Sequence, residues 1–122
     1  MYEKKIPKDF SCGMSITFEI IGGKWKPCII NAINKGIRRP TDIAKEHPLA
    51  SKRVLSLQLS ELERYDIIRK VTYPSLPPKV EYFLTQKGES LLPLVEMMEK
   101  WGTDFMDDFL TVQEQTQQKI FL

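Results

Sequence analysis

Cysteine occurs only twice in this chain, at Cys12 and Cys28, and histidine only once, at His47. Two thiols so far apart exclude the disulfide framework that holds many small secreted domains together. They also give no zinc-type pattern: a metal sensor would have to gather Cys12, Cys28 and His47 from three separate stretches without any paired spacing. His47 precedes a proline at a helix end, where a capping or surface role is the simpler reading. No serine, histidine and acid set assembles around it, so an enzyme is not expected. No apolar run approaches the roughly 20 residues needed to span a bilayer. The opening MYEKKIPKDF lacks the apolar middle of a secretory leader. The expected protein is therefore cytoplasmic, with no membrane partner, no cofactor and no metal.

What the chain does have is an uneven distribution of charge. At 122 residues it is expected to form one domain with its own core. The net charge of +2 conceals a segregation along it. From Lys24 to Arg53 there are eight Lys or Arg against two acids, a net +6, whereas from Gln86 onward three Lys stand against seven acids, a net −4. A polyanion would be met by the middle of the chain, with the acidic end held away from it.

Periodicity then supplies the elements. Gly13 to Ile21 predicts a short helix with two apolar stripes, Met14, Phe18 and Ile21 on one side and Ile16 with Ile20 on the other. A helix apolar on both sides must be covered on both, and a second subunit is the expected second cover. Gly22 and Gly23 break it. The GGKW spacing is not that of a phosphate-binding Walker loop. A second helix opens at Lys24 or Trp25, tolerates Pro27 in its first turn, and offers Cys28, Ile29, Ile30, Ala32 and Ile33 to the core before Asn34 to Gly36 stop it. Pro40 suits the first position of a third helix, with Ile43 and Ala44 inward and His47 and Pro48 at its end.

Ala50 to Tyr65, ASKRVLSLQLSELERY, then predicts an amphipathic helix with Ser51 as its N-cap. At about 100° per residue, Leu55, Leu59 and Leu62 fall on one side, and Arg53, Leu57, Ser60 and Arg64 roughly opposite. The second face is basic, hydroxyl-bearing and short, which suits phosphates, base edges and thymine methyls in a DNA groove. Two helices joined by a brief turn at Pro48 and Leu49 have the spacing of a helix-turn-helix. After Asp66 the period changes. Ile67 to Tyr73 and Lys79 to Leu84 are rich in β-branched and aromatic residues and flank a proline-rich tip, which predicts a hairpin. Placed there, it is a wing whose Arg69, Lys70 and Lys79 suit the DNA backbone, while Glu81 is expected to pair with a cation. Thr85 is expected to cap a final helical region reaching past Trp101, with Pro93 as a kink if it falls inside and Gly102 as a bend. Its Leu91, Leu94, Val95, Met98, Trp101, Phe105 and Phe109 cover an arc of about 140°, enough for core and a subunit interface together.

Taken in order, Cys12, IGGKW at Ile21 to Trp25, Gly36 to Arg39, SKRVLSLQLSELE from Ser51 to Glu63, PPKVEYFLT from Pro77 to Thr85, Gly88 and Trp101 resemble the HxlR-type transcription regulators, winged-helix proteins related in fold to the MarR group. Two stretches depart from the family: Pro40 stands where Phe is common, and Pro48 to Ala50 replaces the usual run into the recognition helix. The resemblance implies a mainly α protein with a small β-hairpin wing, a winged helix-turn-helix dimerising through its N- and C-terminal helices. It implies residues 1–11 as a flexible arm, 12–110 as the domain with its dimerisation helices, and 111–122 as a C-terminal tail. Expected DNA-binding residues are Arg39, Ser51, Lys52, Arg53, Ser56, Leu57, Ser60, Arg69 and Lys79, and expected interface residues are Ile16, Ile20, Leu94, Met98, Trp101 and Phe105. The partners so implied are double-stranded DNA carrying a palindromic operator and a second copy of the chain. Some members sense oxidants or electrophiles at the Cys12 position, so a small-molecule or oxidant inducer fits. Here Cys12 precedes a helix N-terminus with Lys4, Lys5 and Lys8 near in sequence, an arrangement favouring thiolate. Cys28, in an apolar run, reads as core. The competing function is a winged-helix module that binds another protein and never DNA.

Overall fold

Three leucines on one side of a helix organise the packing. Leu55, Leu59 and Leu62 are buried together with Ile29, Ile30, Ile33, Ile43, Ile67 and Ile68 in one apolar cluster. Each such side chain stabilises the fold by roughly 1.5–3 kcal/mol when fully withdrawn from water. In the computed structural model the backbone is described for residues 8–121 and side chains for 8–117. The first seven residues of the expected arm, Lys4 and Lys5 among them, lie outside the described residues.

The order is α1 (Gly13–Ile21), α2 (Lys26–Asn34), α3 (Pro40–Glu46), α4 (Lys52–Arg64), β1 (Ile68–Tyr73), β2 (Lys79–Leu84), α5 (Gln86–Glu89), α6 (Leu92–Asp104) and α7 (Met106–Phe121). Pro27 and Pro40 both stand in first turns, where a missing N–H leaves no intrahelical bond unmade. The strands pair antiparallel in the register Ile68↔Leu84 to Tyr73↔Lys79. Ile68 and Tyr82 face the core and are buried. Asp66, at φ 61, makes the left-handed turn from α4 into the hairpin, a conformation that Asp tolerates better than most residues. The Tyr82 N–H donates to the Arg38 carbonyl at 2.9 Å, so the connection between α2 and α3 lies along β2.

Several expectations need correction. Cys28 is exposed, not core, because the buried side of α2 is taken by Ile29, Ile30, Ala32 and Ile33. Ile20 is half-buried against the chain's own core, so of the second stripe on α1 only Ile16 stands clear, at 44% exposure. The final helical region is three helices rather than one. Pro93 falls near a helix start, in the first turn of α6, so the kink expected had it fallen inside does not arise. Gly102 is not the bend: α6 continues through it to Asp104, and the break falls at Phe105. The stretch after residue 110, whose structure the sequence leaves open, continues α7 to Phe121.

Candidate nucleic-acid interface

The Ser51 hydroxyl accepts the Val54 N–H at 3.1 Å, which satisfies one of the orphan donors at the start of α4 and fixes where the helix begins. Behind this start, the His47 ring nitrogen Nδ1 lies 2.7 Å from the Ile43 carbonyl, and the His47 carbonyl accepts the Ala50 N–H at 3.0 Å. His47 is buried, edge-on to Trp25 with ring centroids 5.8 Å apart. It therefore caps the end of α3, as one of its two expected roles had it, and it is not a surface residue. The turn between α3 and α4 is thus held from both ends.

On α4 itself the two faces separate cleanly. Leu55, Gln58, Leu59 and Leu62 are buried; Ser51, Lys52, Arg53, Ser56, Leu57 and Ser60 are exposed, Leu57 at 59%. Lys52 and Arg53 occupy the first turn, where no acid is present. Cations at that end oppose the helix dipole and cost a few tenths of a kcal/mol or more, a cost that an incoming phosphate reverses.

The hairpin brings Arg69, Val71 and Tyr73 opposite Phe83, Glu81 and Lys79 on its outer face. Lys79 lies 4.0 Å from Glu81 and 5.2 Å from the Tyr73 ring centroid. Hydrogen bonding of Tyr73 to the Glu81 carboxylate pushes the phenol up from its ordinary range. Glu81 thus pairs with a cation, as expected, and that cation is one of the expected DNA contacts. Arg69 stacks on Phe83 from 4.9 Å, with Arg38 on the same ring at 4.6 Å, so it belongs to the base of the wing. Arg39 and Lys79 line a cleft of about 510 Å³ with Thr41, Ser75, Pro77 and Pro78. Leu76, on that tip, is 99% exposed. Arg39, Lys79 and the outer face of α4 are brought to the helix-turn-helix and its wing; Arg69 is set back.

Cys12 is the N-cap residue of α1 and is exposed. Its side chain makes no formed cap hydrogen bond, yet the backbone N–H of Ser15, and then that of Met14, favour the anion and hold the thiol below its ordinary range. Lys8 pairs with Glu19 at 2.7 Å. Cys28 and His47 line one cavity, but among the described residues no group of three His, Cys, Asp or Glu side chains is placed to hold a metal ion. The expected interface residues Leu94, Met98, Trp101 and Phe105 are 40–65% exposed. Two buried polar residues were not anticipated, Lys26 and Gln58. Gln58 had a signal, since it stands three residues after Leu55 and four before Leu62, at the edge of the inner arc of α4; for Lys26 only its place beside the Gly22 and Gly23 turn marks it.

Known proteins resemble this chain along most of its length. YdeP, an HTH-type transcriptional regulator of Bacillus subtilis, is 38% identical over 113 residues, 88% of each chain. The redox regulator HypR in its reduced form superposes with a TM-score of 0.77 at 36% identity, covering 82% of this chain and 99% of that one. Its oxidised form gives 0.73 at 39% identity, over 76% and 96%. No helix among the described residues is long and apolar enough to cross a membrane. Residues 20–109 match the description of the HxlR-like helix-turn-helix family, and the chain, a winged helix-turn-helix transcriptional regulator, belongs to it.

Proposed function

We propose that this regulator is a homodimer that binds a palindromic operator sequence-specifically, one α4 in the major groove of each half-site, and that modification of Cys12 changes its affinity for DNA. The observation that carries the reading is the outer face of α4. Arg53, Ser56, Leu57 and Ser60 stand exposed while the leucines and Gln58 behind them are buried, so the face is free to meet base edges and has no other role in the chain's own packing. Arg39 and Lys79 add charge for phosphates from a cleft whose Thr41 also lines a hollow with Lys52 and Ser56 of α4.

The dimer is supported by apolar side chains left in water on α1, on α6 and at the break after it: Ile16, Leu94, Met98, Trp101 and Phe105, with Met14 and Phe18 of α1 at 72% and 73%. Burial of such a set is the driving force for stable association. The thiol switch is supported by the exposed, acidified Cys12 and by the likeness to HypR, a redox regulator.

Selection of bound sequences from random DNA, with reduced and with oxidised protein, tests both parts. The reduced protein is expected to enrich an inverted repeat with half-site centres about 34 Å apart or a multiple of it. Oxidation is expected to shift the affinity in wild type and to leave a Cys12→Ser protein unchanged. A winged helix that serves only as a protein-binding module would enrich no sequence, and the leading reading would then fail.

A further inference from the structure

Beneath the recognition helix lies a polar contact that DNA contact does not explain. Lys26, the first residue of α2, is 2% exposed, and its ammonium stands 3.6 Å from Glu61 Oε1 on α4. Gln58, 9% exposed on the inner side of α4, accepts the Trp25 backbone N–H on Oε1 at 3.0 Å. A lysine so deeply placed is rare, because desolvating the charge opposes folding and an apolar side chain of like volume would be as stable or more so. Gly23 completes the arrangement: a Cβ there would stand 3.2 Å from Gln58 Cδ and 3.2 Å from Lys26 Cδ and Cε. Turn, α2 and α4 therefore meet at one polar point.

The leucines of α4 do not define that meeting by themselves. Apolar contact is non-directional, and cores repack around small rotations and slides at little cost. A hydrogen bond to a particular backbone N–H and an ion pair to a particular carboxylate are directional, and buried polar groups are best attested as devices that fix register. We infer that Lys26 and Gln58 are positioning residues: they set the roll and height of α4 against α2, and through them the base preference of an outer face to which neither belongs. The inference rests on the reading of α4 as the DNA-reading helix.

Gln58→Leu and Lys26→Met each remove the polar group at similar volume. Lys26→Met is expected to melt near the temperature of wild type, because the Glu61 carboxylate it leaves is open to water, whereas Gln58→Leu leaves the Trp25 N–H without its acceptor and is expected to melt somewhat lower. Binding to random DNA and its salt dependence are expected to hold, since no phosphate contact is lost. The ratio of operator to random-DNA affinity is expected to fall about tenfold, the order of loss caused by one mismatched base pair. Gly23→Ala keeps both polar groups but presses a methyl against them, and is expected to lower the same ratio. An unchanged ratio in the variants that melt cooperatively overturns the inference, as does a parallel loss on operator and random DNA with a lowered melting temperature, which marks a purely structural role. If wild type itself prefers no sequence, the DNA-reading assignment fails first and this inference falls with it.

Discussion

Helix α4 and the pair α6 and α7 are both amphipathic, and both hold side chains out to water, α7 with every described residue exposed, but what they expose differs in kind. The outer side of α4 carries Lys52, Arg53, Ser56 and Ser60 with Leu57 among them; that of α6 and α7 carries Met97, Met98, Trp101, Phe105, Phe109 and Val112, each at least 44% exposed. Side chains of the first kind are content in water and gain from an anion. Those of the second kind lose free energy for as long as they stay wet, at about 25 cal/mol per Å². The first face therefore calls for a polyanion and the second for protein, and the charge along the chain agrees, basic where α2, α3 and the start of α4 lie and acidic from α5 onward.

Reversing the second face is expected to do the most damage. If the proposed dimer forms through this face, Trp101→Glu with Phe105→Glu should leave a monomer by sedimentation, and with only one half-site engaged at a time operator affinity should drop about a hundredfold or more. A dimer that persists would place the interface elsewhere. Within the first face, Arg53→Ala should cost about 1–3 kcal/mol of operator binding. Relaxed preference at one base pair would mark a base contact, and a salt slope reduced by about 1 a phosphate contact; wild-type affinity with an unchanged slope would remove Arg53 from the face.

Cys12 lies at the edge of neither face, and its chemistry sharpens the contrast. In a Cys28→Ser protein the sole thiol has a lowered pKa, so thiolate is present at lower pH than in an unfolded chain. The iodoacetamide alkylation rate should rise with pH to a midpoint below that of a denatured sample, and a midpoint at or above it would deny the helix-start effect. The smallest effect belongs to the cap. Ser51→Ala should lower stability by about 1 kcal/mol in denaturant melts, leaving the orphan Val54 N–H to water. A loss much smaller than that would mean the turn from His47 holds the helix start unaided.

The local parts of this fold were legible: the leucine side of α4, the two strands flanking the proline-rich tip and the capping Ser51 and Thr85 all stand where the residue types and spacing put them. Cys28 misled because neighbours on a helix lie 100° apart, so an apolar run of five cannot be buried throughout. Gly102 misled because low helix propensity does not stop a helix that continues on both sides, and the turn moved to Phe105. The pairing of Lys26 with Glu61 and of Gln58 with the Trp25 N–H was out of reach because each joins the start of α2 to α4, and residue types alone do not report such a pairing. Arg69 shows the same limit, since its stacking on Phe83 depends on strand register and on Arg38 from another element.

Thr85 caps α5 by accepting the Gly88 N–H at 2.9 Å, and the same hydroxyl stands 2.6 Å from the Asp66 carbonyl and 3.1 Å from that of Ile67. Both roots of the hairpin and the first turn of the C-terminal helices are thus pinned at one oxygen atom. A Cβ on Gly88 would stand 2.1 Å from the Ile67 carbonyl oxygen, so the joint has no slack. The wing is not a free flap: swinging α5 away from the hairpin would mean first undoing this joint.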